Sequence, residues 1–339
     1  MRVCFYAAVK DRRLFELVEF YKQDIDILRK LGHEVVTANR PRDVWGPFDF
    51  YWVWWQTSGV PALAAAALRR RPRVLVTAQS SRDPTPSGLA ARSPLARAAA
   101  AASMRLTELT LATSEDTRLG LIATASRPVI AAPLGVDTNV YRPMGERDDA
   151  TVLTISHLTK TNVARKRLLD VVRIAALLPE LCFLIVGAEL DGATLVREEI
   201  TRLGVEDRVK LFGEVSPAEK RRLLSCAALY LQPTHYEGFG MAIAEAMASG
   251  TPVVSNAVGN VPDLVGDTGV VARAGASVGD LAEHVRGLTS DKQREARGQA
   301  ARKRVEELFS LDRRAAIVAD VLTRMRRPRH AELPRPAGP

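Results

Sequence analysis

Residues 235–254 read HYEGFGMAIAEAMASGTPVV. The stretch follows a short apolar run, residues 229–232, that reads as a β-strand. It therefore begins at a strand's C-terminal end, where open α/β sheets hold their ligands. Glu237-Gly238-Phe239-Gly240 forms the loop, and its two glycines let the backbone approach a ligand closely. A helix over 241–249 starts at Met241, and its first free N–H groups and dipole favour an anion such as a diphosphate. Glu245 falls about one turn into that helix. Two carboxylates eight positions apart thus bracket a ligand with a charged middle, and a nucleotide sugar has that shape.

Working outward, short apolar runs alternate with amphipathic segments, which argues for parallel sheets with crossover helices. In the first half, strands are expected at 3–8, 34–37, 49–55, 74–78, 109–113 and 128–131. A single helix is expected over 15–31, closed by Gly32, and an Ala-rich one over 90–106. Residues 48–55 are apolar on both faces, as in a strand covered on both sides. The polar stretch 141–149, YRPMGERDD, reads as an interdomain linker. Beyond it come strands at 152–156, 182–186, 209–212, 229–232 and 252–255, with helices at 168–178, 193–203, 217–225 and 241–249 between them. The fold class is α/β, two Rossmann-like doubly wound domains facing each other across a cleft, over 1–140 and 141–308. Residues 327–339 are Pro- and Arg-rich without periodicity and read as a disordered tail.

The chain has 339 residues, and 48 Lys+Arg against 39 Asp+Glu give a formal charge of +9, which favours acidic partners. Arg69, Arg70, Arg71 and Arg73 read as a solvated helix end. Basic residues interleaved with exposed aromatics are missing, so nucleic acid is not expected as a partner. No apolar run is long enough to span a bilayer. Cys4, Cys182 and Cys226 lie far apart in apolar segments and read as reduced, buried cysteines of a cytoplasmic protein. A peripheral contact with the inner face of the cell membrane is left open, as is the oligomeric state. A dinucleotide fingerprint fails: Ile243 stands where Gly or Ala belongs, and the next strand ends in Ser255-Asn256 rather than an acid. Asp24-Ile25-Asp26 has the Asp-x-Asp pattern of metal-dependent transferases. On a helix, however, these side chains point to different faces, so a solvated pair is expected and no metal or other cofactor. His33 and His284 offer no evident partner, and neither does His330; His235 borders the loop.

The segment 235–254 resembles the Glu-x7-Glu signature of glycosyltransferase family 4, a retaining family with the B-type two-domain fold. Residues 134–143 (LGVDTNVYRP) are similar to the junction before the family's second domain, and 153–169 to its first strand and basic loop. Residues 183–187 and 209–215 are similar to the strand ends around the base, and 250–262 (GTPVVSNAVGNVP) to its closing motif. The match covers most of 135–272; over the first half only the general topology agrees. The resemblance implies a last helix, within 309–326, that packs back on the first domain.

The resemblance also implies roles. Glu237 contacts the donor sugar near the reacting carbon and supports an oxocarbenium-like transition state, and Glu245 binds the ribose hydroxyls. Backbone groups of Gly238, Phe239 and Gly240 hold sugar hydroxyls, and those of Met241 and Ala242 the diphosphate. Lys166, with Arg165 beside it, neutralises the departing diphosphate, while Gly213 and Val215 lie near the base. Here His157 stands where the family has an arginine, and Gln79 where a histidine is common. Asp263 replaces a closing-motif glutamate, and residues 7–13 replace a Gly-rich loop. Trp55 and Gln56 end a strand facing the cleft and, with Gln79, are expected to line an acceptor pocket.

The function implied is a metal-independent retaining transfer of a sugar from a UDP- or GDP-sugar to a hydroxyl of a small-molecule, lipid or glycan acceptor. The altered positions define the alternative, a catalytically silent nucleotide-sugar-binding protein of the same fold. The Ala/Arg-rich composition points to a bacterial source.

Overall fold

The computed structural model describes residues 1–326 apart from 87 and 291. The tail expected over 327–339, with His330, lies outside the described residues. Two six-stranded sheets carry the fold, and the strands pair in parallel throughout. The first holds β1 (Arg2–Tyr6), β2 (Glu34–Ala38), β3 (Phe50–Trp54), β4 (Arg73–Thr77), β5 (Leu109–Ala112) and β6 (Val129–Ala131), in the order β2-β1-β3-β4-β5-β6. The second holds β7 (Thr151–Ile155), β8 (Cys182–Val186), β9 (Val209–Gly213), β10 (Leu229–Gln232), β11 (Val253–Asn256) and β12 (Val270–Ala272), in the order β12-β11-β10-β7-β8-β9. Every residue of β3 and β4 is buried, because crossover helices cover both faces of a parallel sheet. Both sheets are doubly wound and Rossmann-like. The winding direction reverses between β1 and β3 in the first and between β7 and β10 in the second, which marks the ligand-binding crevices.

The helix expected over 15–31 is two helices, Leu14–Leu17 and Glu19–Lys30, because β-branched Val18 adopts an extended backbone (φ −91°, ψ 114°) between them. The Ala-rich helix starts later than expected, at Pro94 (Pro94–Leu106). Ser93 accepts a hydrogen bond from the amide of Ala96, and Pro94 needs no amide partner in the first turn.

Asp24 overturns the expectation of a solvated pair. It is fully buried and accepts hydrogen bonds from the indoles of Trp52 and Trp54, both at 3.0 Å, and from Arg314 Nε at 2.7 Å. Arg314, equally buried, also donates to the carbonyls of Ala132 and Pro133. Asp26 does face solvent and pairs with Lys22. The Leu311–Arg326 helix that carries Arg314 packs against the Glu19–Lys30 helix and buries Val318, Val321 and Leu322 in the same apolar cluster. Just before it, the chain pairs with Val136: the Val136 amide donates to Phe309 O and the Leu311 amide to Val136 O.

Three smaller expectations are also corrected. Cys4 is buried, but Cys182 is exposed at the outer start of β8 and Cys226 is half-exposed at a helix end. His33 is buried, with Nδ1 3.5 Å from the Met1 amine. Arg69, Arg70 and Arg71 are solvated, whereas Arg73 is buried in β4 and pairs with Glu108. Among the described residues, no helix is long and apolar enough to cross a membrane.

Candidate functional site

The crevice between β7 and β10 receives two chain segments. After β7 comes a short helix, Lys160–Arg165, capped by Thr159, which ends at Lys166 and delivers Arg165 and Lys166 to the sheet's edge. After β10 comes the loop 233–240, tied down at its start by the His235 amide and the Thr234 hydroxyl, both donating to Arg165 O.

Glu237 is buried where these segments meet. Its Oε1 accepts from Gln232 Nε2 at 2.7 Å and from Arg165 Nη1 at 3.2 Å, and Lys166 Nζ stands 3.9 Å away. Arg165 Nη1 also donates to Tyr236 O, so one guanidinium fixes both the carboxylate and its peptide. Lys166 Nζ lies 3.5 Å from both Ile155 O and Gln232 Oε1. Burial pulls its ammonium below the usual lysine range, and the nearby Glu237 carboxylate opposes that shift. Gln232, held in turn by the Tyr230 hydroxyl at 2.7 Å, was not singled out from sequence. Its signal was modest: a polar residue ending an apolar strand.

Gly240, at φ +96°, precedes the Met241–Ala248 helix in a left-handed conformation that a side chain rarely adopts. No side chain caps this helix, so its first amides remain available to a ligand. Gly259, at φ +52°, backs the loop from behind: a Cβ there would stand 2.2 Å from Glu237 O. The next residue, Asn260, donates its amide to Glu237 O and its side-chain Nδ2 to Phe239 O.

Glu245 is buried one turn into the helix, with Lys220 Nζ 2.6 Å from its Oε2. Oε2 thus has charge compensation but makes no hydrogen bond. Lys220 also sits over the Tyr141 ring at 5.5 Å. Neither residue stood out in the sequence, because a lysine among the polar residues of a helix looks like a solvated face. Across the crevice Glu19, at the start of its helix, has its carboxyl raised by desolvation and then by Glu245.

A second group gathers at the ends of β7, β8 and β9. His157 Nδ1 accepts the Ala188 amide at 3.1 Å, which leaves its other nitrogen as the donor of the neutral ring. Gly187 donates its amide to Gly213 O, and Val215 is half-buried against the large apolar cluster.

The expected acceptor residues come together on the first domain. Gln56 Nε2 donates to Gln79 O, and Gln79 Nε2 to Thr57 Oγ1. Trp55, half-buried, packs on Phe20 and donates its indole N–H to the Tyr21 hydroxyl. The halves touch here: a Cβ on Gly238 would stand 3.2 Å from Ala78 O.

Known proteins resemble this chain in sequence and in fold. The chain is 35% identical over 192 residues to an MMP α-(1→4)-mannosyltransferase of Mycolicibacterium hassiacum, covering 52% of this chain and 44% of that protein. It is 31% identical over 188 residues to a D-inositol 3-phosphate glycosyltransferase of Segniliparus rotundus, covering 54% and 40%. The matched stretches thus span less than half the length of these relatives. Among solved structures, sucrose-phosphate synthase of Thermosynechococcus elongatus superposes with a TM-score of 0.78 at 17% identity, covering 96% of this chain and 98% of that one. The HepE protein of Anabaena, in complex with UDP and glucose, gives 0.76 at 21% identity, covering 96% and 100%. Both likenesses show the fold, that of the B-type glycosyltransferases. On this frame, residues 143–304, which carry Arg165, Lys166, Glu237 and Glu245, match the family model of the glycosyl transferases group 1.

Proposed function

We propose that this protein is a retaining glycosyltransferase of family 4 that moves a sugar from a UDP- or GDP-sugar to a hydroxyl group. The observation that carries the reading is the convergence of Glu237, Arg165 and Lys166 beside the uncapped start of the Met241–Ala248 helix. Cations and amide donors there meet the charge that develops on a departing diphosphate. Glu237, beside both cations, is the carboxylate able to support a positive anomeric carbon. The aligned partner that Glu245 Oε2 lacks is a ribose hydroxyl in this reading. Attack comes from the face the diphosphate leaves. The acceptor oxygen bonds to the anomeric carbon, the bond to the diphosphate breaks, and the acceptor's proton passes to the diphosphate oxygen. Configuration is retained. Arg165 and Lys166 supply the positive charge, so the reaction proceeds without a metal.

The neighbour bound to UDP and glucose supports a nucleotide-sugar donor, and the mannosyltransferase relatives support a hexose. Gln56, Gln79 and Trp55 form the acceptor side. Thermal-shift screening of UDP- and GDP-hexoses identifies the donor, because a ligand of the native state raises its stability. Turnover of that donor follows, and Glu237→Ala abolishes it. Binding without turnover over a broad acceptor panel would show a silent nucleotide-sugar-binding protein instead.

A further inference from the structure

Tyr236, the residue before Glu237, does not point at the donor crevice. Its ring is buried between the two domains, and its hydroxyl donates to Asp116 Oδ2 at 2.8 Å across 120 positions of sequence. Asp116 belongs to the first domain, on the Glu115–Ile122 helix, and is itself buried. Its other oxygen accepts from Arg82 Nε at 2.7 Å, and Arg82 rises from the loop after β4 that also holds Gln79. The chain Arg82–Asp116–Tyr236 therefore runs from the acceptor-side loop to the peptide that carries Glu237. On the far side, Tyr236 O is held by Arg165 Nη1, so both ends of the residue are anchored.

Arg82 supplies the cation that faces the buried Asp116 carboxylate. Asp263, three residues past Asn260, has its carboxyl raised chiefly by desolvation and further by Glu115 and Asp116. Arg304 opposes that shift. A hydrogen bond to a charged acceptor exceeds a neutral one in strength, and a buried carboxylate without a cation is costly. Arg82 and the Tyr236 hydroxyl take one oxygen of Asp116 each, so losing either weakens the tie between the acidic loop and the first domain.

We infer that Asp116 is a positioning residue: through Tyr236 it fixes the acidic loop against the acceptor domain, keeping water off the donor so that transfer outruns hydrolysis. This rests on the transferase reading for its chemical consequence, but the mechanical part stands on the contact alone. The acceptor hydroxyl and water compete for the same anomeric carbon. A loop held against Ala78 by Gly238 leaves little room for water, and releasing the bond opens that gap.

The test compares wild type with Tyr236→Phe, Asp116→Ala, Asp116→Asn and Arg82→Ala. Arg118→Ala, which breaks a pair within its own helix, serves as the charge control. Tyr236→Phe keeps the ring and so the fold. It is expected to speed amide exchange over 234–240 by roughly tenfold, the scale of one hydrogen bond to a charged group. The share of donor lost to water rises by a similar factor, kcat for transfer falls, and the dissociation constant for free UDP or GDP stays at the wild-type value. Asp116→Asn, which keeps an acceptor for Tyr236, recovers most of what Asp116→Ala loses. If wild type transfers sugar and these variants match it in both exchange and partition, the inference is wrong. If wild type turns over no sugar nucleotide, the proposed function fails instead. Exchange over 234–240 then still decides whether the contact positions the loop: unchanged exchange in Tyr236→Phe overturns it.

Discussion

The two sheets share one winding plan and differ in what they put at its reversal. In the second, the β7/β10 crevice carries Arg165, Lys166, Gln232 and Glu237, with glycines at 238, 240 and 259 around them. In the first, the β1/β3 crevice opens on Ala7 and on Trp55, which holds φ +72°, a conformation rare for a bulky residue and often found at working sites. Behind it lies an aromatic layer of Phe20, Tyr21, Trp52 and Trp54, pinned by Asp24 and Arg314. One half grips charge with amides and cations at the tips of flexed loops. The other presents a shape set by rings and one buried ion pair. One frame thus carries two unlike crevices, one polar and one aromatic.

The largest effect separating the halves comes from Asp24→Ala. It strands a fully buried arginine, so unfolding by urea should show a loss of about 3–5 kcal/mol. Nucleotide affinity of the protein that remains folded is expected to be unaltered; a large affinity loss would mean the aromatic half shapes the donor site as well. Gly259→Ala inverts the pattern. Its side chain has to displace Glu237 O, and a shift on the order of 1 Å at a reacting group costs roughly 10²-fold in kcat. Equilibrium unfolding should change far less than in Asp24→Ala.

The smallest effect is one of pH. Since burial lowers the Lys166 pKa, its charge is lost before pH reaches the ordinary lysine value of 10.5. Donor KM should thus climb as pH rises from neutrality toward that value. Lys166→Arg, whose guanidinium stays charged, should flatten the profile. A flat wild-type profile would remove Lys166 from the charge-neutralising role.

What could be read in the sequence was local. Alternating runs located the strands except β12, a three-residue edge strand, and the glycines and carboxylates of 235–254 located the loop, because both signals sit within a few residues of one another. Long-range pairing leaves no such trace. Asp24 looked like half of a surface Asp-x-Asp because Arg314 stands 290 positions away. Lys220 passed unnoticed because Glu245 and Tyr141 come from other elements. Cys182 looked buried because its strand is apolar, although it lies at the strand's exposed first position. Val18 broke a helix whose apolar period runs on unbroken.

The pairing of Val136 with the segment 309–311 has a mechanical consequence. The chain passes between the halves twice, and at the crossing the two passes are stitched by a pair of backbone hydrogen bonds. The two passes are thereby tied into one two-ply strap, and parting the halves at this point costs both bonds.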